Sequence, residues 1–185
     1  FWIMRVFVLL FFVLSCDKIA DLPKQKSFFA PDFKMTHYVE SNIGCKYNFL
    51  INSKALISNL KNCNYNIEYK NLNSKIYINQ ISYFENIEVL LDAFDQKIIE
   101  NSKFSDQIIE SEYIDVERKI YSKLFSFVGD SPSNIQFYVT DMSDKFINGS
   151  LFFDTKTNYD SLFPYIDYVR NDIKKMVDSF NWTDE

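Results

Sequence analysis

Apolar and polar residues alternate along much of the chain, which is the pattern of β-strands with one buried face. Short runs of this kind, rich in aromatic and β-branched residues and separated by polar turns, predict about seven strands. They cover residues 47–52, 64–69, 74–83, 106–114, 119–128, 134–140 and 146–153. Because most links between them are short, we expect neighbouring strands to pair in an antiparallel meander.

Two other segments follow the period of an α-helix. The first has apolar residues spaced by three and four, namely Ile87, Leu90, Leu91, Phe94 and Ile98. The second covers about residues 161–181, with a narrow seam of Leu162, Ile166, Val169, Ile173, Met176 and Phe180. Asn158 or Asp160 is expected to cap this helix, with Pro164 in its first turn. The sequence therefore predicts an α+β fold, a single domain in which two principal helices, the C-terminal one long, pack on a mainly antiparallel sheet.

The first residues have the pattern of a signal peptide. After Met4, one arginine precedes an apolar run over residues 6–14, which is shorter than the roughly 20 residues that span a bilayer. The run ends at Cys16 after aliphatic residues and a serine, and it resembles the lipobox of bacterial lipoproteins. Cys16 would then be the lipidation site; an ordinary signal peptide with an incidental cysteine is the alternative. We expect a lipoprotein signal peptide over residues 1–15, a lipid-anchored tether over residues 16–31 and one domain over residues 32–185.

The cysteine count fits an extracytoplasmic protein. Three cysteines are present, and Cys16 accounts for one of them. An even pair in an oxidising compartment favours a disulfide between Cys45 and Cys63, worth on the order of 3 kcal/mol in the chain-entropy treatment. Metal binding by the two thiols is the alternative, although no histidine lies near them in the sequence.

Composition and charge narrow the classes of function. The net charge is -5, from 20 basic and 25 acidic residues, and it becomes about -6 once residues 1–15 are removed. An acidic chain lacks the positive field on which nucleic-acid binding depends. The three glycines are isolated, at Gly44, Gly129 and Gly149, so no glycine-rich phosphate loop is present. A single histidine, His37, provides no histidine-based metal site, and we expect neither a metal nor a cofactor.

Candidates for catalysis are few. His37 lies in a stretch without a nucleophile motif, and a surface or structural role is the simpler interpretation. Carboxylates occur at Glu110, Glu112, Asp115 and Glu117, which could form a hydrolytic pair or merely a solvated face. The run from Asp141 to Asp144 is too short for a calcium loop and predicts a turn. We therefore expect no enzymatic activity and assign no catalytic residue.

Aromatic residues make up 18% of the chain, and several of them flank the seam of the C-terminal helix. Surface aromatics are typical of protein interfaces. We predict a partner surface formed by Phe153, Tyr159, Phe163, Tyr165 and Tyr168. Burial of the same residues in the core is the alternative. Asp160, Ser161 and Leu162 also match an O-glycosylation pattern, which helix capping explains as well.

Several short blocks, in order along the chain, resemble the gliding-motility lipoprotein GldD family of Bacteroidota. In the C-terminal half they are residues 136–141, 146–153, 158–161 and 168–173. Upstream, the two paired cysteines with the residues that follow them, the lipobox and the Leu-Pro-Lys at residues 22–24 fit the same family.

The resemblance implies a non-enzymatic lipoprotein required for gliding motility. It also implies protein partners among the gliding and type IX secretion components of the envelope, whose assembly or stability the chain would support. The expected location is the cell envelope, lipid-anchored to a membrane and facing the periplasm. A periplasmic module that binds a small ligand is the alternative, and a hydrolase using Glu110 or Glu112 is a third hypothesis.

Overall fold

The alternating segments form one seven-stranded antiparallel sheet with a helix on each face. The computed structural model describes residues 31–33, 35–41, 43–59, 61–82, 86–155 and 158–183. The signal peptide, Cys16 and nearly all of the tether lie outside these residues. The strands are β1 (Tyr38–Glu40), β2 (Tyr47–Asn48), β3 (Leu50–Asn52), β4 (Leu56–Asn59), β5 (Tyr65–Tyr69), β6 (Ser74–Ile81), β7 (Gln107–Asp115), β8 (Ile120–Val128), β9 (Ile135–Thr140), β10 (Phe146–Phe153) and β11 (Asn181–Trp182). The helices are α1 (Ile87–Ser102) and α2 (Tyr159–Asp178). The α+β class is confirmed.

The strand order of the main sheet is β4-β5-β6-β10-β9-β8-β7. The meander expected from the short links exists in two blocks, one from β4 to β6 and one from β7 to β10. The blocks are joined by the pairing of β6 with β10, whereas a simple meander would pair β6 with β7, the next strand in sequence. After β6 the chain crosses one face as α1 and enters the opposite edge. This crossing allows the apolar stripe of α1 to cover the sheet. Leu151 of β10 thus lies opposite Ile76 of β6.

The predicted strand over residues 47–52 does not join the main sheet. It divides at Phe49 into β2, which pairs with β11, and β3, which pairs with β1. The division has a local cause, because Ser41 Oγ accepts a hydrogen bond from Phe49 N and Ser179 Oγ accepts one from Leu50 N. One outer strand of the main sheet is β4, a strand of four residues that the sequence prediction did not include, and its Leu56 is exposed.

The turns follow the residues expected of them. The hairpin between β5 and β6 closes through a 3-10 turn, Lys70–Leu72, and Asn73 takes a positive φ of 47°. Asparagine tolerates this left-handed conformation better than most residues.

Each face of the sheet has its own apolar core. The larger one lies under α2 and includes Ile166, Val169, Ile173 and Met176, which are 5% exposed or less. The middle of the predicted seam is thus confirmed, whereas Leu162 is half-buried and Phe180 is buried just beyond the end of the helix. The smaller one lies under α1, where Phe94 and Ile98 contact rings of β8, β9 and β10. Two-sided coverage explains why all six residues of β9 are buried.

Gly149 is a packing position rather than part of a ligand loop. It lies in β10 opposite Phe137 of β9. A Cβ at this position would overlap the Phe137 ring and touch Ile78. The glycine therefore makes room for an aromatic ring in the larger core.

Candidate functional site

The start of α2 is set by Asn158, whose side chain accepts a hydrogen bond from Ser161 N. This selects Asn158 over Asp160 as the cap. The expectation that Pro164 lies in the first turn is wrong, because the helix begins at Tyr159 and Pro164 is its sixth residue. Proline has no N–H, so this turn lacks one helical hydrogen bond. One flank of α2 faces the strands β1 and β3, and the other flank faces β7.

One flank of α2 faces β1 and β3 through a buried carboxylate. Asp172, 5% exposed, accepts hydrogen bonds from Tyr38 Oη at 2.7 Å, Asn52 Nδ2 at 2.7 Å and Tyr69 Oη at 3.0 Å. Burial, followed by the nearby Asp172 charge, raises the pKa of Tyr69 well above its ordinary value. These three hydrogen bonds to the Asp172 carboxylate fix α2 to β1, β3 and β5.

The same flank holds two of the predicted surface aromatics. Phe33 stacks on Tyr168 with ring centroids 4.3 Å apart and meets Tyr165 edge-on at 5.9 Å. The Tyr168 hydroxyl accepts a hydrogen bond from Asn52 Nδ2 at 2.9 Å. Phe33, which precedes β1, therefore contacts both Tyr165 and Tyr168.

The other flank of α2 faces the edge strand β7 across a cavity of about 750 Å³. Tyr159 and Phe163, with ring centroids 5.8 Å apart, form its helix side. Tyr159 N donates a hydrogen bond to Asp130 Oδ1 at 2.9 Å, and burial raises the pKa of the Tyr159 hydroxyl. The rest of the lining comes from Phe104, Asp106, Ile109, Val128, Gly129, Asp130, Asn158, Asp160 and Arg170.

A second cavity, of about 290 Å³, continues along the same strand. Its lining comes from the β7 residues Ser111, Glu112 and Tyr113, the β8 residues Ser122 and Leu124, and Lys174, Val177 and Asp178 of α2. We call these two cavities together the β7–α2 groove.

The five predicted partner residues thus occupy three environments. Tyr159 and Phe163 line the β7–α2 groove, Tyr165 and Tyr168 contact Phe33, and Phe153 packs partly buried against the larger core. The β7 side of the groove was missed in the sequence. The sequence shows only that Phe104 and Ile109 are apolar, and their exposure of 59% and 43% becomes visible only in the structure.

Cys45 and Cys63 form a disulfide, with Cα atoms 5.8 Å apart and a sequence separation of 18. The bond ties the segment before β2 to the segment before β5. Tyr47 reinforces this link by donating a hydrogen bond to the Cys63 carbonyl at 3.1 Å. In the described residues no group of three histidine, cysteine or acidic side chains is placed to hold a metal ion.

Two of the four carboxylates considered for hydrolysis form ion pairs with different partners. Glu110 is exposed and pairs with Lys123 at 3.0 Å. Asp115 pairs with Arg118, and hydrogen bonds from the Arg118 backbone and side chain lower the pKa of this carboxyl. Asp141 Oδ1 accepts hydrogen bonds from the backbone N–H groups of residues 143–145, which is the geometry of a turn. His37 is exposed.

Neither helix of the described residues is long and apolar enough to cross a membrane. A search of curated proteins finds no match to the chain. A family model described as gliding motility lipoprotein GldD matches residues 18–182. The match includes both helices, every strand and both cysteines of the disulfide. The chain belongs to the gliding motility lipoprotein GldD family.

Proposed function

We propose that this chain is a non-enzymatic, lipid-anchored envelope protein that supports the gliding and type IX secretion machinery through protein contacts. Its contribution is to the assembly or stability of that machinery. Family membership carries the proposal, because the match extends over residues 18–182 and therefore includes the whole fold described above.

The aromatic flank of α2 supports a role in protein contacts. Tyr159 and Phe163 are half-buried and border a groove rather than filling the core. Large aromatic side chains at a partly open groove are typical of protein-binding sites. The Cys16 anchor would hold this surface at a membrane and, in our proposal, on its periplasmic side.

A clean deletion tests the role in motility. We expect loss of both surface spreading and secretion of type IX cargo, with both restored by the wild-type chain supplied in trans. Normal spreading and secretion in the deletion strain would contradict the proposal.

The lipid anchor is tested separately by Cys16→Ala. We expect this variant to lose metabolic labelling with a fatty-acid probe, whereas Cys45→Ala, which removes a different cysteine, should retain it. Unchanged labelling of Cys16→Ala would refute the anchor.

The size of the larger cavity supports a second candidate function, binding of a small ligand. Its volume of about 750 Å³ lies within the roughly 300–1,000 Å³ that is usual for ligand sites. Native mass spectrometry of the chain isolated from envelopes distinguishes ligand binding from a role in protein contacts. A stoichiometric small-molecule adduct favours the ligand hypothesis, and the mass of the chain with its lipid alone favours the protein-contact hypothesis.

A further inference from the structure

The edge strand β7 is long and regular. It has nine residues and an unbroken antiparallel register with β8, from Gln107 opposite Val128 to Asp115 opposite Ile120. Among the described residues it has no neighbour on its outer side, where every second N–H and C=O points away from β8. The other edge, β4, has only four residues. The β7 edge therefore offers backbone hydrogen bonds to one further strand.

The charged side chains of the β7 edge are all acidic, namely Glu110, Glu112 and Asp115. Edge strands commonly carry charged side chains, above all lysine, or a proline or a bulge that prevents pairing. The sequence of β7 is Gln-Ile-Ile-Glu-Ser-Glu-Tyr-Ile-Asp, which contains neither lysine nor proline. Ile108, Ile109 and Ile114 are 37%, 43% and 53% exposed. These exposed apolar side chains favour pairing with another apolar strand.

The β7–α2 groove lies beside the face of β7 that carries Ile109, Ser111 and Tyr113. An added strand would place every second side chain on this face. One side chain opposite Ile109 would reach the larger cavity, and one opposite Tyr113 would reach the smaller cavity. Backbone pairing with pockets for alternate side chains is an established mode of peptide recognition.

The charges around β7 favour one kind of added strand over another. Five acidic residues, with Glu112 among them, and two basic residues line the two cavities. Glu110 also lies on β7 and pairs with Lys123 of β8, so carboxylates still outnumber basic groups along this edge. A second copy paired antiparallel about Ser111 would place Glu110 opposite Glu112 on both sides. Like charges directly opposite one another are unfavourable. The groove therefore suits a basic strand better than a copy of itself.

We propose that β7 binds an extended segment of a partner protein by strand addition, with two basic residues opposite Glu110 and Glu112 and apolar residues entering the β7–α2 groove. The inference deepens the proposed function, because it names the surface and the chemistry of the partner.

The probe is a fluorescein-labelled peptide with the core sequence Val-Leu-Lys-Thr-Lys-Phe-Val, which we designed for antiparallel addition to β7. Its lysines would stand opposite Glu112 and Glu110, its phenylalanine opposite Ile109 and its leucine opposite Tyr113. Binding to the full chain in detergent is measured by fluorescence anisotropy, and amide hydrogen exchange locates the contact. We expect saturable binding and slower exchange confined to β7 and its groove.

Two variants of the chain and one of the peptide define the mode of binding. Glu112→Lys should weaken binding by about tenfold, through repulsion of the peptide lysines. Glu40→Lys makes the same charge change on the exposed strand β1 and should alter the dissociation constant by less than about twofold, because distant exposed charges are screened. A peptide N-methylated on the edge that faces β7 keeps its side chains but loses backbone donors, so it should not bind.

Strand addition is overturned if the peptide does not bind, if the N-methylated peptide binds equally well, or if β7 exchange is unchanged. Protection of β7 in the chain alone would show that the tether or a second copy already occupies the edge, and it would also overturn the proposal. Loss of spreading and secretion in the deletion strain, together with a negative peptide result, would leave the proposed function standing without this docking site.

Discussion

Asp172 places a carboxylate among the apolar residues of α2 and receives hydrogen bonds from three side chains. A buried charge is tolerated only when such donors replace water. The cluster therefore gives the junction of α2 with β1, β3 and β5 a defined geometry as well as stability.

Replacing Asp172 with alanine should destabilise the fold by about 2–4 kcal/mol, since the buried Tyr69 hydroxyl, the buried Asn52 amide and the partly buried Tyr38 hydroxyl would lose an acceptor. Urea unfolding measures this change. Asn171→Ala, at an exposed position on the same helix, should change the free energy of unfolding by less than about 0.5 kcal/mol. Equal losses in the two variants would contradict a stabilising role for the cluster.

Buried tyrosines make the fold sensitive to high pH. Burial raises the pKa of Tyr47 to about 12, whereas an unfolded tyrosine titrates near pH 10. Its contribution to the free energy of unfolding is thus complete below about pH 10 and is lost as the pH rises through its folded pKa.

We expect the free energy of unfolding to fall by about 2–3 kcal/mol between pH 10 and 12 from Tyr47 alone. Denaturant titrations across this range measure the fall. Tyr47→Phe should be less stable at pH 8 by about 1 kcal/mol, because the Cys63 carbonyl loses its donor, but its stability should decline less steeply above pH 10. An identical alkaline slope in parent and variant would contradict the assignment.

Elements with strong local patterns were predictable from sequence, and those that depend on distant partners were not. The seam of α2 marks the one face of the helix that packs on the sheet, whereas the dense apolar residues of β8 and β10 reflect cores on both faces of the sheet. In contrast, β1 and β11 have three and two residues and exist only because Asn52 and Tyr47 lie opposite them. The pairing of β10 with β6 crosses more than 60 residues of sequence, so no short-range signal specifies it.

The same distinction between local patterns and distant contacts applies to the residues of the candidate site. Tyr159 and Phe163 were predicted because they flank a helical seam. Ile109 on β7 was not associated with them, because α1 carries the chain across the sheet to its opposite edge before β7 begins, and no local pattern indicates this path. Contact between Phe33 and Tyr168 likewise joins positions far apart in sequence.

Packing between β9 and β10 provides a test within the sheet. Gly149→Ala should destabilise the fold by about 1–3 kcal/mol, because the new methyl group overlaps the Phe137 ring. Thermal or urea unfolding measures the loss, and Ser150→Ala serves as the adjacent control. Combining Gly149→Ala with Phe137→Leu should recover part of the stability relative to Phe137→Leu alone. No loss in the single variant would show that the ring moves aside without cost.

The proposed anchor at Cys16 is joined to a sheet that, among the residues the structure describes, has one long open edge. The disulfide and the Asp172 cluster secure the N-terminal strands on one side of α2. On the other side, the β7–α2 groove leaves aromatic and acidic side chains accessible. This arrangement suits a protein that is held at a membrane and acts by binding a basic, extended partner segment.

The most direct test is made in cells, by replacing the chromosomal gene with one that encodes Glu112→Lys and measuring spreading and type IX secretion. Glu40→Lys provides the matched control, and immunoblots establish that both chains accumulate normally. We expect Glu112→Lys to reduce both spreading and secretion severely while Glu40→Lys behaves as wild type. Wild-type spreading and secretion with Glu112→Lys would contradict the proposal that the chain acts through contacts at β7 and the β7–α2 groove.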